Sequence, residues 1–233
     1  MSEAKDITEQ IRANVLDVRR RMCDAAMRAG RRVDDVILLA ASKNRTVDEI
    51  LAAAEAGVAA FGENRVQEML SKMPQAVGLD WQFIGHLQSN KARQVVGRVS
   101  LIHSVDSVRL ASEISGRACA AGSRQRVLFQ VSLAGEQSKA GFLPGELEGA
   151  LEEAAGLEGL EVVGLSTIAP LVDEPEEVRW VFRELRELAG SLAGGMGPVS
   201  LSMGMTNDFE VAVEEGSTIV RIGTALFGPR LER

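Results

Sequence analysis

Two cations sit where a soluble chain rarely leaves them. In "VILLAASKNRT" (Val36 to Thr46), Lys43 closes an otherwise apolar run, just before a helix-like segment. It shares parity with Ile37, Leu39 and Ala41, so on a strand it projects to their side. If that side is the interior of a closed sheet, the ammonium is partly desolvated. Its pKa then falls, and the neutral amine becomes a nucleophile toward an aldehyde. The alternative is a lysine that snorkels to the rim and pairs with an acid such as Glu63. In "TIVRIGTALFG" (Thr218 to Gly228), Arg221 lies inside an apolar strand and shares parity with Ile219 and Gly223. A guanidinium cannot be neutralised there and must have a partner. A carboxylate from another strand and an electron-rich ring atom or anion of a ligand both satisfy it.

Two glycine- and hydroxyl-bearing segments flank this arginine. "SMGMTND" (Ser202 to Asp208) and the pair Gly223–Thr224 each follow a strand-like run. Glycines allow close backbone approach and hydroxyls donate, so together the segments describe a phosphate cradle. Neither is a Walker or Rossmann motif.

Absences narrow the chemistry. The 233 residues contain two histidines, His86 and His103, and no tyrosine. A histidine-built metal site is therefore excluded, and no Cys-x-x-Cys pair replaces it. Cys23 and Cys119 lie far apart in helix-like segments, as free thiols do in a reducing cytoplasm. A formal net charge of −7 argues against nucleic acid. The basic clusters "RRRM" (Arg19 to Met22) and "RAGRR" (Arg28 to Arg32) read as a solvated helix face. No apolar run approaches the ~20 residues of a membrane span, and "MSEAKDITEQ" is no signal peptide. The expectation is a cytoplasmic monomer without membrane or nucleic-acid contact.

The elements that must position these residues alternate along the chain. Strand-like runs begin at Val36, Ala59, Trp81, Ser100, Arg126, Glu161, Pro198 and Ser217, with helix-like segments between them. Among the latter are "TVDEILAAAEAG", "SVRLASEISGRACAAG", "PGELEGALEEAAG" and "EEVRWVFRELRELAGSL". About eight strand–helix cycles close a parallel (β/α)8 barrel in roughly this length. A doubly wound sheet would need fewer strands and a glycine fingerprint after the first, which "ASKNRT" lacks. The fold expected is one α/β domain over residues 1–233, a single TIM-type barrel with an additional N-terminal helix, residues 1–30, packed on it. Polar clusters follow each strand run, and in a barrel they meet at the C-terminal rim, where sites of such folds are built. Trp81 and Trp180 both read as core residues.

A lysine on strand one, an arginine on strand eight and a cradle at strands seven and eight suggest one ligand carrying an aldehyde, a ring nitrogen and a phosphate. Pyridoxal 5′-phosphate has all three. The stretches "ASKNRTVDEI", "FGENRVQE", "WQFIGHLQSNKAR", "IHSVDS", "QVSLAGEQSKAGF", "GLSTIAP" and "LSMGMTNDFEVAVEEGSTIVRIGTALFG" resemble the pyridoxal-phosphate homeostasis proteins, themselves similar to the barrel domain of alanine racemase. The resemblance implies an aldimine at Lys43 and Arg221 facing the pyridine nitrogen. It also implies a phosphate held by Ser202, Gly223 and Thr224, with Asn64 beside the ring. Two positions depart from the family pattern: Asn44 follows the lysine, and Arg65 stands where a tyrosine is frequent.

Racemisation needs a base on each face of the substrate α-carbon. By the family comparison, the second is a tyrosine from a further domain; the 233 residues hold no tyrosine, and the expectation is that this domain is lacking too. The expectation is therefore a protein that binds the cofactor reversibly and acts in its homeostasis, with pyridoxal 5′-phosphate and the apo-enzymes that use it as partners. The alternatives are a racemase or lyase using His86, His103 or Lys139 as second base, and a phosphosugar barrel enzyme with a Schiff-base lysine. Lys139 itself reads as a solvent-facing loop lysine or as a second docking point for the cofactor.

Overall fold

The computed structural model describes residues 2–134, 140–192 and 199–229. Eight strands carry the architecture: β1 (Ile37–Ala41), β2 (Ala60–Glu63), β3 (Asp80–Phe83), β4 (Leu101–Val105), β5 (Gln125–Gln130), β6 (Leu160–Ser166), β7 (Ser200–Ser202) and β8 (Ile219–Ile222). Each pairs in parallel with the next, and β8 returns to β1, closing the barrel. The helices are α1 (Ser2–Arg28), α2 (Val47–Glu55), α3 (Val66–Lys72), α4 (Val108–Ala120), α5 (Leu147–Ala155), α6 (Arg179–Leu192), α7 (Phe209–Glu214) and α8 (Thr224–Phe227). Between β3 and β4 a 3-10 helix, Ser89–Gln94, crosses instead. Every expected strand is present, each within a few residues of its expected start.

Strands buried on both faces read as near-continuous apolar runs, and here two cores explain why. Leu39, Ala60, Leu101, Leu128 and Ile219 meet inside the barrel, with Ile84 and Val163 against them. The opposite faces, including Leu38, Ala40, Phe61 and Val220, join a larger core under the helices. Leu39 is thus interior, so the odd-numbered parity of β1 points inward as expected. Gly62 makes room for this packing: a Cβ there would lie 2.5 Å from Leu39 Cδ2 and 2.9 Å from Ile84 Cδ1.

The N-terminal helix lies against α2, α7 and α8. Ile11, Val15, Val18, Met22, Ala25 and Ala26 form its buried stripe at steps of three and four residues. Gly30, at φ 65, ends the helix in the left-handed conformation while Arg31 N–H returns to Ala26 O at 2.8 Å. The basic clusters on this helix do more than meet solvent. Arg21 Nε reaches Glu210 at 2.8 Å and Arg28 Nε reaches Glu214 at 2.7 Å, tying α1 to α7. One expectation fails. Trp81 is buried, but Trp180 is 48 % exposed, because Val181, Phe182, Leu185 and Ala189 supply the inward stripe of α6 and leave Trp180 beside it.

Candidate functional site at the C-terminal mouth of the barrel

Above the apolar interior layer lies a polar one, built by strand parity. Gln82 shares the inward face with Ile84, His103 with Leu101, and Arg221 with Ile219. Arg221 is 8 % exposed, and its guanidinium donates to Ser202 O at 2.7 Å, Ser202 Oγ at 2.6 Å and Thr167 O at 2.8 Å. These bonds use three of its five N–H donors. Among the described residues no carboxylate forms an ion pair with it. Asp208 is the acid whose field it feels, and Asp208 Oδ1 itself accepts the Met205 N–H. Burial lowers the guanidinium pKa to about 10, so the group remains cationic at neutral pH.

Hydrogen-bond polarity fixes the next members. Gln82 Nε2 is spent on the Asp80 carboxylate, donating to Oδ2 at 2.8 Å, so Gln82 Oε1 accepts from His103 Nε2 at 2.7 Å. This leaves His103 Nδ1 to accept from Ser202 Oγ at 2.9 Å, while Ser202 Oγ accepts from Arg221. Burial and the adjacent Arg221 hold His103 well below its ordinary pKa, keeping it neutral, as this chain requires. Five side chains from β3, β4, β7 and β8 thus form one directed line across the barrel. His103 does not belong to the rim, where the sequence placed it. It lies inside, 2 % exposed, and both ring nitrogens are engaged.

Lys43 stands two residues beyond the strand end, in a turn that follows Ser42, and is partly buried. Its neighbours are held firmly. Ser42 Oγ donates to Glu63 Oε1 at 2.7 Å, and Lys72 Nζ reaches the same oxygen at 2.7 Å, so this carboxylate already has a buried cation. Thr46 caps α2 with Glu49 in a reciprocal capping box, which sets where the turn must stop. Arg45 donates to Phe227 O at 3.0 Å and Gly228 O at 2.5 Å, joining this turn to the end of α8.

The remaining expected residues come from staves adjacent to β1. Gly223 follows β8, and a Cβ there would lie 3.6 Å from Ala41 Cβ, so this glycine touches the base of the Lys43 turn. Thr224 opens α8, and Thr206 Oγ1 accepts the Ala225 N–H at 3.3 Å, linking the loops after β7 and β8. Ser202 is fully buried, its hydroxyl committed to Arg221 and His103. Asn64 follows β2 and lines a cleft of about 450 Å³ with Arg65, Phe83, His86 and Lys91. Its Oδ1 and Glu63 Oε2 are buried acceptors without a hydrogen-bond partner among the described residues. Such atoms cost stability unless a ligand or a proton supplies a donor. His86, 62 % exposed, meets Asp106 at 3.2 Å. Lys139 lies outside the described residues. All six expected site residues therefore lie at one end of four contiguous staves, β7, β8, β1 and β2. Sequence reasoning missed Asp80, Gln82, Thr167 and Lys72. An amide between two aromatics in "WQF" and a lysine four residues after Glu68 were the available signals.

The closed parallel barrel, with its N-terminal helix, has the fold of a known domain class. The chain belongs to the alanine racemase N-terminal domain family, whose model matches residues 8–230. A protein of Aquifex aeolicus (strain VF5) named pyridoxal phosphate homeostasis protein is 46 % identical over 214 residues, 90 % of this chain and 94 % of the relative. The structure of PipY from Synechococcus elongatus PCC7942 with PLP bound is 38 % identical, with a TM-score of 0.76 over 83 % of this chain and 93 % of that one. Alanine racemase of Clostridium difficile 630, at 15 % identity and a TM-score of 0.75, shares the fold, and this chain spans 58 % of its length.

Proposed function

We propose that the protein binds pyridoxal 5′-phosphate reversibly at this mouth and serves its homeostasis as a carrier or reservoir, without strong catalysis of its own. The observation that carries the proposal is Arg221, a buried cation without a carboxylate ion-pair partner among the described residues, at the same end as the Lys43 turn. A homeostasis relative and a PLP-bound structural relative support the choice of ligand.

When bound, the cofactor supplies an aldehyde that condenses reversibly with a primary amine, and a ring that draws electrons. Lys43 is the amine that would hold the aldehyde in this proposal. Arg221 would face the ring nitrogen. A guanidinium only donates, so it would leave that nitrogen unprotonated and the ring a weak electron sink. Neutral His103, through Ser202, keeps the guanidinium in place without offering a carboxylate. Gly223 and Thr224 form the phosphate side, and Ser202 contributes as the strand end that sets the loop. Asn64 stands beside the ring, its Oδ1 suited to a donor from the ligand. The protein acts as a monomer and passes cofactor to apo-enzymes.

Lys43→Ala is expected to abolish the long-wavelength absorbance band that cofactor addition produces. A persisting band would exclude Lys43 as the tether. Exchange of α-protons of L-amino acids into deuterated water separates carrier from catalyst: the carrier is expected to show slow exchange with all of them, and rapid exchange with any one would make the protein an enzyme.

A further inference from the structure

Behind the Lys43 turn lies a buried ion cluster that the binding site does not use. Lys72, on α3, is 6 % exposed. Its ammonium donates to Ser42 O at 2.8 Å, Glu63 Oε1 at 2.7 Å and Glu68 Oε1 at 2.6 Å. These three bonds use all of its donors. Glu63 Oε1 also accepts from Ser42 Oγ at 2.7 Å, and Glu68 Oε1 accepts from the Asn44 N–H at 2.5 Å. Ser42 is further fixed by its N–H to Gly62 O at 3.0 Å, and Arg45 N–H closes the turn onto Ser42 O at 3.1 Å.

The partners of this cluster are the two residues that flank Lys43. Ser42 is gripped at carbonyl and hydroxyl, and Asn44 at its amide. Asn44 has φ 59, the left-handed conformation that asparagine tolerates better than most residues. Burying a lysine with a glutamate is costly, and an apolar pair of similar volume would often be as stable. Stability is therefore a poor reason for the cluster, and fixed geometry at the turn is a better one.

We propose that Lys72, with Glu63 and Glu68, is a positioning device for Lys43: it locks Ser42 and Asn44 so that the lysine between them is held in the one backbone geometry from which its amine reaches the aldehyde. The inference rests on Lys43 being the covalent tether, as proposed above.

The test uses the full chain and two probes. Pyridoxal 5′-phosphate can condense with an amine, and pyridoxine 5′-phosphate, with an alcohol in place of the aldehyde, cannot. Glu68→Ala removes the grip on Asn44 while leaving the Lys72–Glu63 pair. It is expected to weaken pyridoxal 5′-phosphate binding on the order of 10–100-fold, the scale of a misplaced reacting group, while pyridoxine 5′-phosphate affinity moves by no more than about twofold. Lys72→Met, where it folds, is expected to show the same split, and Glu68→Ala decides alone if it does not. Unchanged affinity for both probes overturns the proposal. So does a parallel loss for both, since a merely structural role predicts no preference for the aldehyde. Lys43→Ala, measured alongside, separates the two claims. If it too leaves pyridoxal 5′-phosphate affinity unchanged, the tether assignment fails. If it abolishes the preference for the aldehyde while Glu68→Ala preserves it, only the positioning device fails.

Discussion

Arg221 and His103 show how one buried charge is accommodated without a carboxylate ion pair among the described residues. The guanidinium spends three donors on carbonyl and hydroxyl oxygens, and the serine it grips passes its proton to a neutral imidazole. Removing the link is expected to be costly. Ser202→Ala strands His103 Nδ1 in a dry interior, which should lower unfolding free energy by about 1–3 kcal/mol in urea titration. The imidazole also gives a pH signature. Burial and Arg221 depress its folded pKa well below the usual 6.5, so the unfolded chain takes up the proton first as pH falls. Stability from this group is complete above 6.5 and is lost progressively below it, by at most about 1.4 kcal/mol per pH unit. Thermal unfolding of His103→Gln against the parent, from neutral to mildly acidic pH, should show a shallower acid loss in the variant. An equal loss in both would mean that His103 is protonated in the fold. Of these residues the sequence marked Arg221 and Ser202. His103 was misplaced because its parity with Leu101 was not used, and Gln82 because an amide in a strand carries no signal until its partner is known.

Among the elements, the strands were legible because both of their faces are buried, so each reads as an apolar run with few interruptions. The long helices were legible from their 3.6-residue stripes. Helices α3, α7 and α8 were not, since seven, six and four residues are too few to show a period. Trp180 misled for a related reason: size suggested burial, but position on the stripe of α6 decides it. The N-terminal helix is a structural part of the barrel, through Met22 and its neighbours and the arginines that reach α7. Met22→Ala, which opens a cavity between α1 and the barrel, is expected to cost about 2–5 kcal/mol, read as a fall in the midpoint of calorimetric unfolding. A shift within error would show that α1 packs loosely and that its buried stripe contributes little.

At the scale of the molecule, closure of the barrel converts residues nearly 180 positions apart into neighbours. The Lys43 turn and Gly223 come from the two ends of the chain's strand order, and pairing of β1 with β8 brings Gly223 against Ala41, two residues before Lys43. Residue types and strand order made this convergence readable in advance, since a parallel barrel admits one end for its site. The buried cluster around Lys72 was not readable, because its lysine, two glutamates and serine come from three elements whose packing no local pattern states. The family and its named relatives support pyridoxal 5′-phosphate as the ligand, and the central claim is now a single bond. Borohydride reduction of the protein loaded with pyridoxal 5′-phosphate, followed by digestion and mass mapping, should find the cofactor fixed to the peptide carrying Lys43. A label on another lysine, or no label at all, would contradict the proposal.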